Sequence, residues 1–214
     1  MSSELVLYTH PMSRGRIARW MLEEVGEPYT AEIVGFGESM KSATYRAINP
    51  MGKVPALRHG DMVVTETAAI CTYLADAFPS AALAPPTSSR DRGSYYRWLF
   101  FAAGPLEAAV TNKAAGFVLP PERRGMAGYG SLEAVMDTIE GALAGREFLV
   151  GEGFTTADLY LGSHIGWGMM FGTVEQRPAF VEYHARLARR PAAVRANLLD
   201  DALLEKHSTP SAKS

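Results

Sequence analysis

Cysteine is almost missing from this sequence: Cys71 is the single one among 214 residues. One thiol closes no intrachain disulfide and completes no thiolate metal cage, which fits a reducing, cytoplasmic setting. Long apolar runs are lacking too, and none approaches the roughly 20 residues of a membrane-spanning helix. The opening Met1-Ser2-Ser3-Glu4 has neither the basic nor the apolar region of a secretion signal. Charge of one sign is scarce, with a formal net charge of −2. Nucleic acid and membrane surfaces are therefore not expected partners. Five histidines, His10, His59, His164, His184 and His207, show no paired spacing for a metal, and none is expected. A P-loop, a Rossmann glycine pattern and a Ser-His-Asp signature are all missing.

What the chain does contain is a mixed first half and a helical second half. Leu5-Val6-Leu7-Tyr8 reads as a short buried strand from Glu4 to Thr9, broken by His10-Pro11-Met12-Ser13. Ile17, Met21 and Val25, four apart, predict a helix over 14–25 that stops at Gly26. A strand over 29–34, a short helix over 44–48 and strands near 56–58 and 62–64 follow. Ile70, Tyr73, Leu74, Ala77 and Phe78 then give a helical core stripe from Glu66 to Pro79. The order β-α-β-α-β-β-α is thioredoxin-like. Cys71 lies within that last helix and is expected to be buried and inert.

Residues 79–89 are small, polar and proline-rich, and read as a linker. Beyond them strand signals fade. Tyr96, Leu99, Phe100 and Ala103 form one helical stripe; Leu132, Val135, Met136, Ile139 and Leu143 form another. Thr155 with Asp158 three residues on makes a capping box, Phe154 and Leu159 a hydrophobic staple, so Asp158 is read as structural. Pro178 opens a further helix, which Pro191 closes. The expected division is 1–79, a linker 80–89, an all-helical domain 90–207 and a mobile tail 208–214.

The stretch with most chemical content is 49–67. Asn49-Pro50 and Met51-Gly52 are turn pairs leading into Lys53-Val54-Pro55-Ala56-Leu57. Proline has no N–H for a ladder, so Pro55 belongs at a strand start or edge. A cis Val54-Pro55 bond would leave the Val54 N–H and C=O free for an extended peptide. Close by, Glu66-Thr67 opens a helix, whose orphan N–H groups and dipole make an anion site.

Gly-Lys-Val-Pro-Ala-Leu followed by Glu-Thr at a helix start resembles the glutathione site of the soluble glutathione transferases. The segment Tyr8 to Arg16 resembles the first strand–helix turn of the serine-type, bacterial-like members. The resemblance implies an α/β thioredoxin-like N-terminal domain, an all-α C-terminal domain and a homodimer. It also implies glutathione as co-substrate: Val54, beside Pro55, pairs with its cysteinyl backbone. Glu66 and Thr67 would hold its γ-glutamyl end, and Lys53 its glycine carboxylate. Ser13 would donate to the sulfur and favour the reactive thiolate. Tyr8, Thr9 and His10 compete for that role, and Met12 stands close in register. Arg14 and Arg16 are candidate anion contacts. Met12, Tyr96 and Phe100 are candidates for an apolar pocket that receives a small hydrophobic electrophile. The expected activity is glutathione S-transfer. The alternatives are glutathione-dependent isomerisation, dehalogenation or disulfide reduction on the same fold, or a non-enzymatic regulatory module.

Overall fold

The computed structural model describes residues 4–208. The chain divides into two compact units, one of residues up to Ala81 together with those from Arg190 onward, the other Ala82–Arg189.

The first unit is built on a four-stranded sheet of order β2-β1-β3-β4. Strand β1 (Leu5–Thr9) is buried along its whole length, as its apolar run requires. It pairs in parallel with β2 (Tyr29–Ile33) and antiparallel with β3 (Ala56–His59), which pairs antiparallel with β4 (Met62–Thr65). Helix α1 (Gly15–Val25) supplies the crossover that a parallel pair needs. It buries Ile17, Ala18, Met21 and Leu22 and ends on Gly26, whose φ of 80° suits a residue without a side chain. Of two single-turn helices, α2 (Glu38–Lys41) stands where none is expected, and α3 (Ala43–Arg46) overlaps the helix expected over 44–48. Helix α4 (Thr67–Ala77) buries Thr67, Ile70, Cys71, Leu74 and Ala75. Its buried face is thus turned slightly from the predicted stripe, for Tyr73 and Phe78 are only half-buried and Ala77 is exposed. Cys71 is fully buried, and burial pushes its thiol pKa well up, away from reactivity.

The second unit is helical: α5 (Asp91–Phe101), α6 (Glu107–Ala114), α7 (Leu132–Leu143), α8 (Thr156–Met170) and α9 (Pro178–Ala188). A five-residue π turn, Ala102–Leu106, links α5 to α6 around Pro105, which cannot donate to a regular ladder. On α7 four residues of the stripe, Val135, Met136, Ile139 and Leu143, are buried, and Leu132 at the helix start is half-buried. On α5 it is not. Tyr95, Trp98 and Leu99 are buried, whereas Phe100 is exposed. Apolar residues occur all round this helix, so periodicity alone does not select the inward side. Residues of the expected linker are tied into the unit: the Leu83 carbonyl accepts from the N–H and hydroxyl of Thr156, and Arg92 donates to the Pro85 carbonyl.

Pro191 does more than end α9. It starts α10 (Pro191–Ser208), which groups with the first unit, whereas the sequence boundaries assign it to the helical domain. The expected tail from 208 falls almost wholly outside the described residues. Among the described residues, no helix is long and apolar enough to cross a membrane.

Candidate functional site

The register of the sheet gathers the predicted residues of the first unit. Tyr8 lies opposite Ala56, and Ala56 opposite Thr65. The chain just beyond β1, just before β3 and just beyond β4 therefore meets at one end of the sheet. These are the turn 10–14, the pair Val54-Pro55 and the pair Glu66-Thr67. Segments nearly 60 residues apart become neighbours by strand pairing alone.

In the first of these segments Ser13 is half-buried. Its hydroxyl donates to the His10 carbonyl at 2.7 Å and accepts from the Gly15 N–H at 3.0 Å. Ser13 thus braces the entry to α1, which has no side-chain cap at Arg14. Gly15 is required there by close approach: a Cβ would stand 1.9 Å from Thr9 Oγ1 and 3.0 Å from Ser13 Oγ. Of the competing groups, Thr9 is fully buried and its hydroxyl has no hydrogen-bond partner. Tyr8 is buried and interacts with the Arg58 guanidinium. The His10 ring packs on Phe36 at 4.0 Å between centroids, and its Nδ1 accepts from the Met12 N–H at 3.2 Å. Met12 and Arg14 are exposed. The guanidinium of Arg16 pairs with the Asp201 carboxylate on α10, which already satisfies the charge read from sequence as an anion contact.

In the second segment the Val54-Pro55 bond is cis. Among the described residues, neither the Val54 N–H nor its C=O has a hydrogen-bond partner. Val54 as a residue is half-buried, and a main-chain N–H and C=O of this kind are the groups an extended strand pairs with. The loop that presents them is held from below. Tyr45 Oη and Asn49 Nδ2 donate to the Lys53 carbonyl at 2.7 and 2.8 Å. Lys41 Nζ donates to the carbonyls of Met51 and Gly52 at 3.1 and 2.9 Å. Burial, with a smaller contribution from the neighbouring Tyr8, pushes the Tyr45 phenol up to about 12, so it remains a donor at neutral pH. These bracing residues escaped the sequence reading. Asn49 carries a local signal, since its side chain accepts from the Met51 N–H in an Asx turn; Tyr45 and Lys41 carry none. Lys53 itself is exposed.

In the third segment Glu66 has φ of 67° and ψ of 120°, a conformation that costs a non-glycine residue of order 1–3 kcal/mol. No side chain caps α4. The first intrahelical bond runs from the Ile70 N–H to the Glu66 carbonyl at 2.9 Å, so the N–H groups of the preceding turn are open to an anion. Thr67 is buried and Glu66 exposed.

In the second unit Tyr96 is partly exposed on α5, with the Arg92 guanidinium 4.8 Å from its ring centre. Phe100 on the same helix is 73% exposed. Among the described residues no group of three or more His, Cys, Asp or Glu is placed to hold a metal ion.

Comparison with known proteins bears on both units. The family model described as glutathione S-transferase, N-terminal domain matches residues 12–77, and the corresponding C-terminal domain model matches residues 121–191. The chain is 32% identical to glutathione S-transferase GstA of Escherichia coli O157:H7 over 152 residues, 69% of this chain and 73% of that protein. It is 28% identical to glutathione S-transferase GST-4.5 of Xanthomonas campestris over 171 residues, 78% and 83% of the two chains. Among solved structures, a glutathione transferase of Methylococcus capsulatus superposes with a TM-score of 0.77 at 29% identity, covering 92% of this chain and 99% of that one. A sphingomonad glutathione S-transferase complexed with glutathione gives 0.74 at 28% identity, over 92% and 98%. The chain belongs to the glutathione S-transferase family.

Proposed function

We propose that the protein is a glutathione transferase that binds glutathione as co-substrate, holds its thiol as the thiolate and lets it attack the electrophilic carbon of a small hydrophobic substrate. The observation that carries this reading is the unpaired main chain of Val54 at the sheet end where the uncapped start of α4 also lies. An extended peptide with an anionic end fits that pair of features. Val54 takes the cysteinyl backbone beside Pro55, and Lys53 takes the glycine carboxylate. The open N–H groups of α4 and Thr67 take the γ-glutamyl carboxylate, and Glu66 its ammonium group.

Ser13 is our choice for the thiol donor. Its proton rests on the His10 carbonyl, and a rotation about the Cβ–Oγ bond turns it toward a sulfur while the oxygen stays in place. The reaction then needs only orientation and ionisation: the S–C bond forms with the thiolate electron pair while the electrophile's leaving group departs with its own. Arg14 is the remaining candidate for an anion contact in this turn. Met12, Tyr96 and Phe100, all with exposed apolar surface, are our candidates for contacts to the electrophile. A cytoplasmic homodimer is the proposed form.

Two results are expected. Following thiolate absorbance against pH, bound glutathione ionises below free glutathione, and Ser13→Ala raises its pKa by roughly 1–2 units, the worth of one hydrogen bond to a charged group. Retained depression in the variant would move the role to a neighbour such as Thr9. Saturable binding without depression would leave a binding module instead of an enzyme. Separately, Thr67→Ala is expected to weaken glutathione binding by roughly tenfold or more in calorimetric titration. Unchanged affinity would sink the γ-glutamyl assignment.

A further inference from the structure

Thr9 closes β1 and is fully buried, yet among the described residues its hydroxyl has no hydrogen-bond partner. A hydroxyl shut away from water without a partner costs stability, and native structures rarely leave one so. Valine has nearly the same shape, suits a strand as well and has no hydroxyl to satisfy. A threonine at this point therefore calls for a role beyond filling space.

The hydroxyl oxygen is held firmly. Thr9 stands opposite Ile33 in the sheet, its carbonyl accepts from the Val34 N–H at 2.8 Å, and a β-branched side chain is stiff at χ1. The oxygen lies against the start of α1: a Cβ on Gly15 would stand 1.9 Å from it and 3.0 Å from Ser13 Oγ. The two hydroxyls thus flank one glycine, whose N–H donates to Ser13 Oγ at 3.0 Å. With its proton on the His10 carbonyl, Ser13 accepts that one bond among the described residues and keeps a lone pair. The Thr9 proton has no acceptor and turns freely about the Cβ–Oγ bond. A buried hydroxyl dipole orients in the local field, and a bond donated to an oxygen strengthens the bond which that oxygen donates onward.

We propose that Thr9 is a positioning residue for the transfer reaction, a role that rests on the transferase reading above. Its hydroxyl turns its proton toward Ser13 Oγ as Ser13 turns its own toward the glutathione sulfur, and Thr9 steadies the thiolate through Ser13. Thr9 does not touch the sulfur itself, because its oxygen is buried.

The test follows thiolate absorbance of bound glutathione against pH in the full chain and its variants, with a melt of each in the absence of glutathione. Thr9→Val should raise the bound thiol pKa by roughly 0.5 unit. It should also raise the melting midpoint by about 2 °C, because the unpaired hydroxyl is gone. Thr9→Ser should keep the low pKa yet melt below wild type, having lost a buried methyl. In the Ser13→Ala background, Thr9→Val should add nothing to the pKa. A wild type that does not bind glutathione, or binds it without lowering its pKa, overturns the transferase reading and the role of Thr9 with it. Where the wild-type pKa is lowered, four results each overturn the role of Thr9 alone. Thr9→Val stays within about 0.2 unit of wild type, or acts equally in both backgrounds, or melts below wild type, which would show the hydroxyl already paired; or Thr9→Ser raises the pKa as Thr9→Val does.

Discussion

Replacing Asp158 by alanine should cost about 3–5 kcal/mol of stability, the largest effect we expect from any single change in the helical unit. Asp158 is fully buried at the start of α8. Its Oδ1 accepts from the Leu149 N–H and the Tyr183 hydroxyl, both at 2.8 Å. Its Oδ2 accepts from the Thr155 N–H at 2.9 Å and the Thr155 hydroxyl at 3.0 Å. Burial raises its carboxyl pKa above the usual range, and the four donors pull it partly back. Alanine removes the acceptor and strands those donors in an apolar interior, each at a cost of about 1–3 kcal/mol if unrelieved. Part of the loss is helix start, part is the anchor of α9 through Tyr183.

The check is a thermal or urea melt of wild type beside Asp158→Ala and Asp158→Asn. For a chain of this size, the expected loss for alanine lowers the midpoint by about 10 °C. Asparagine keeps one acceptor oxygen and should fall between. A midpoint within about 2 °C of wild type for alanine would show that water or repacking satisfies the donors, against the capping-box reading.

Asp200→Ala should be comparably damaging, at about 3–5 kcal/mol, because it leaves the Arg19 guanidinium buried without its counter-charge. Arg19 on α1 and Asp200 on α10 meet at 2.9 Å with side chains 4% and 0% exposed. Arg19 also reaches Tyr29 at 3.3 Å, and Tyr29 donates to Glu23 at 2.8 Å. Burial first, then the Glu23 carboxylate, pushes the Tyr29 phenol up to about 12. Three more ion pairs tie α1 to α10 and to Arg190 just before it. Arg190 forks onto Glu24 at 2.7 and 2.8 Å, Arg195 meets Glu23 at 3.0 Å, and Arg16 pairs with Asp201.

These pairs are not equal. Arg195 is 53% exposed, so Arg195→Ala should cost no more than about 1 kcal/mol, and less in high salt. Arg19→Met with Asp200→Leu removes both buried charges and should cost less than Asp200→Ala alone. Urea midpoints of the three variants decide the matter. Equal losses for Asp200→Ala and Arg195→Ala would contradict the burial argument.

Features legible in the sequence were local ones. The apolar run of β1, the inward stripe of α7 and the Thr155–Asp158 box depend on residues within a few positions of each other. Val54-Pro55 and Glu66-Thr67 were legible for the same reason: proline's missing donor and a helix start are properties of the nearby chain. Features that depended on a distant partner were not. Arg16 reads from sequence as a candidate anion contact, yet its partner Asp201 lies 185 positions away. Pro191 read as the end of one helix, although it opens α10, which groups with α1 in the first unit. Along α5, aromatics on all sides left the buried face undetermined, and packing selected Tyr95 and Trp98 over Phe100.

By itself, then, the sequence determined most of the strand and helix order of the first half, the helical character of the second, the strand-start proline after Val54 and the helix start at Glu66-Thr67. Periodicity, turn chemistry and proline geometry act over a few residues and are written in order along the chain. Tertiary structure alone decided that Arg19 and Asp200 share a buried site, that Arg16 meets Asp201 and that Lys41 and Tyr45 hold the loop before Pro55. Each of those joins residues that the fold, not their spacing along the chain, brings together, and no local rule states it.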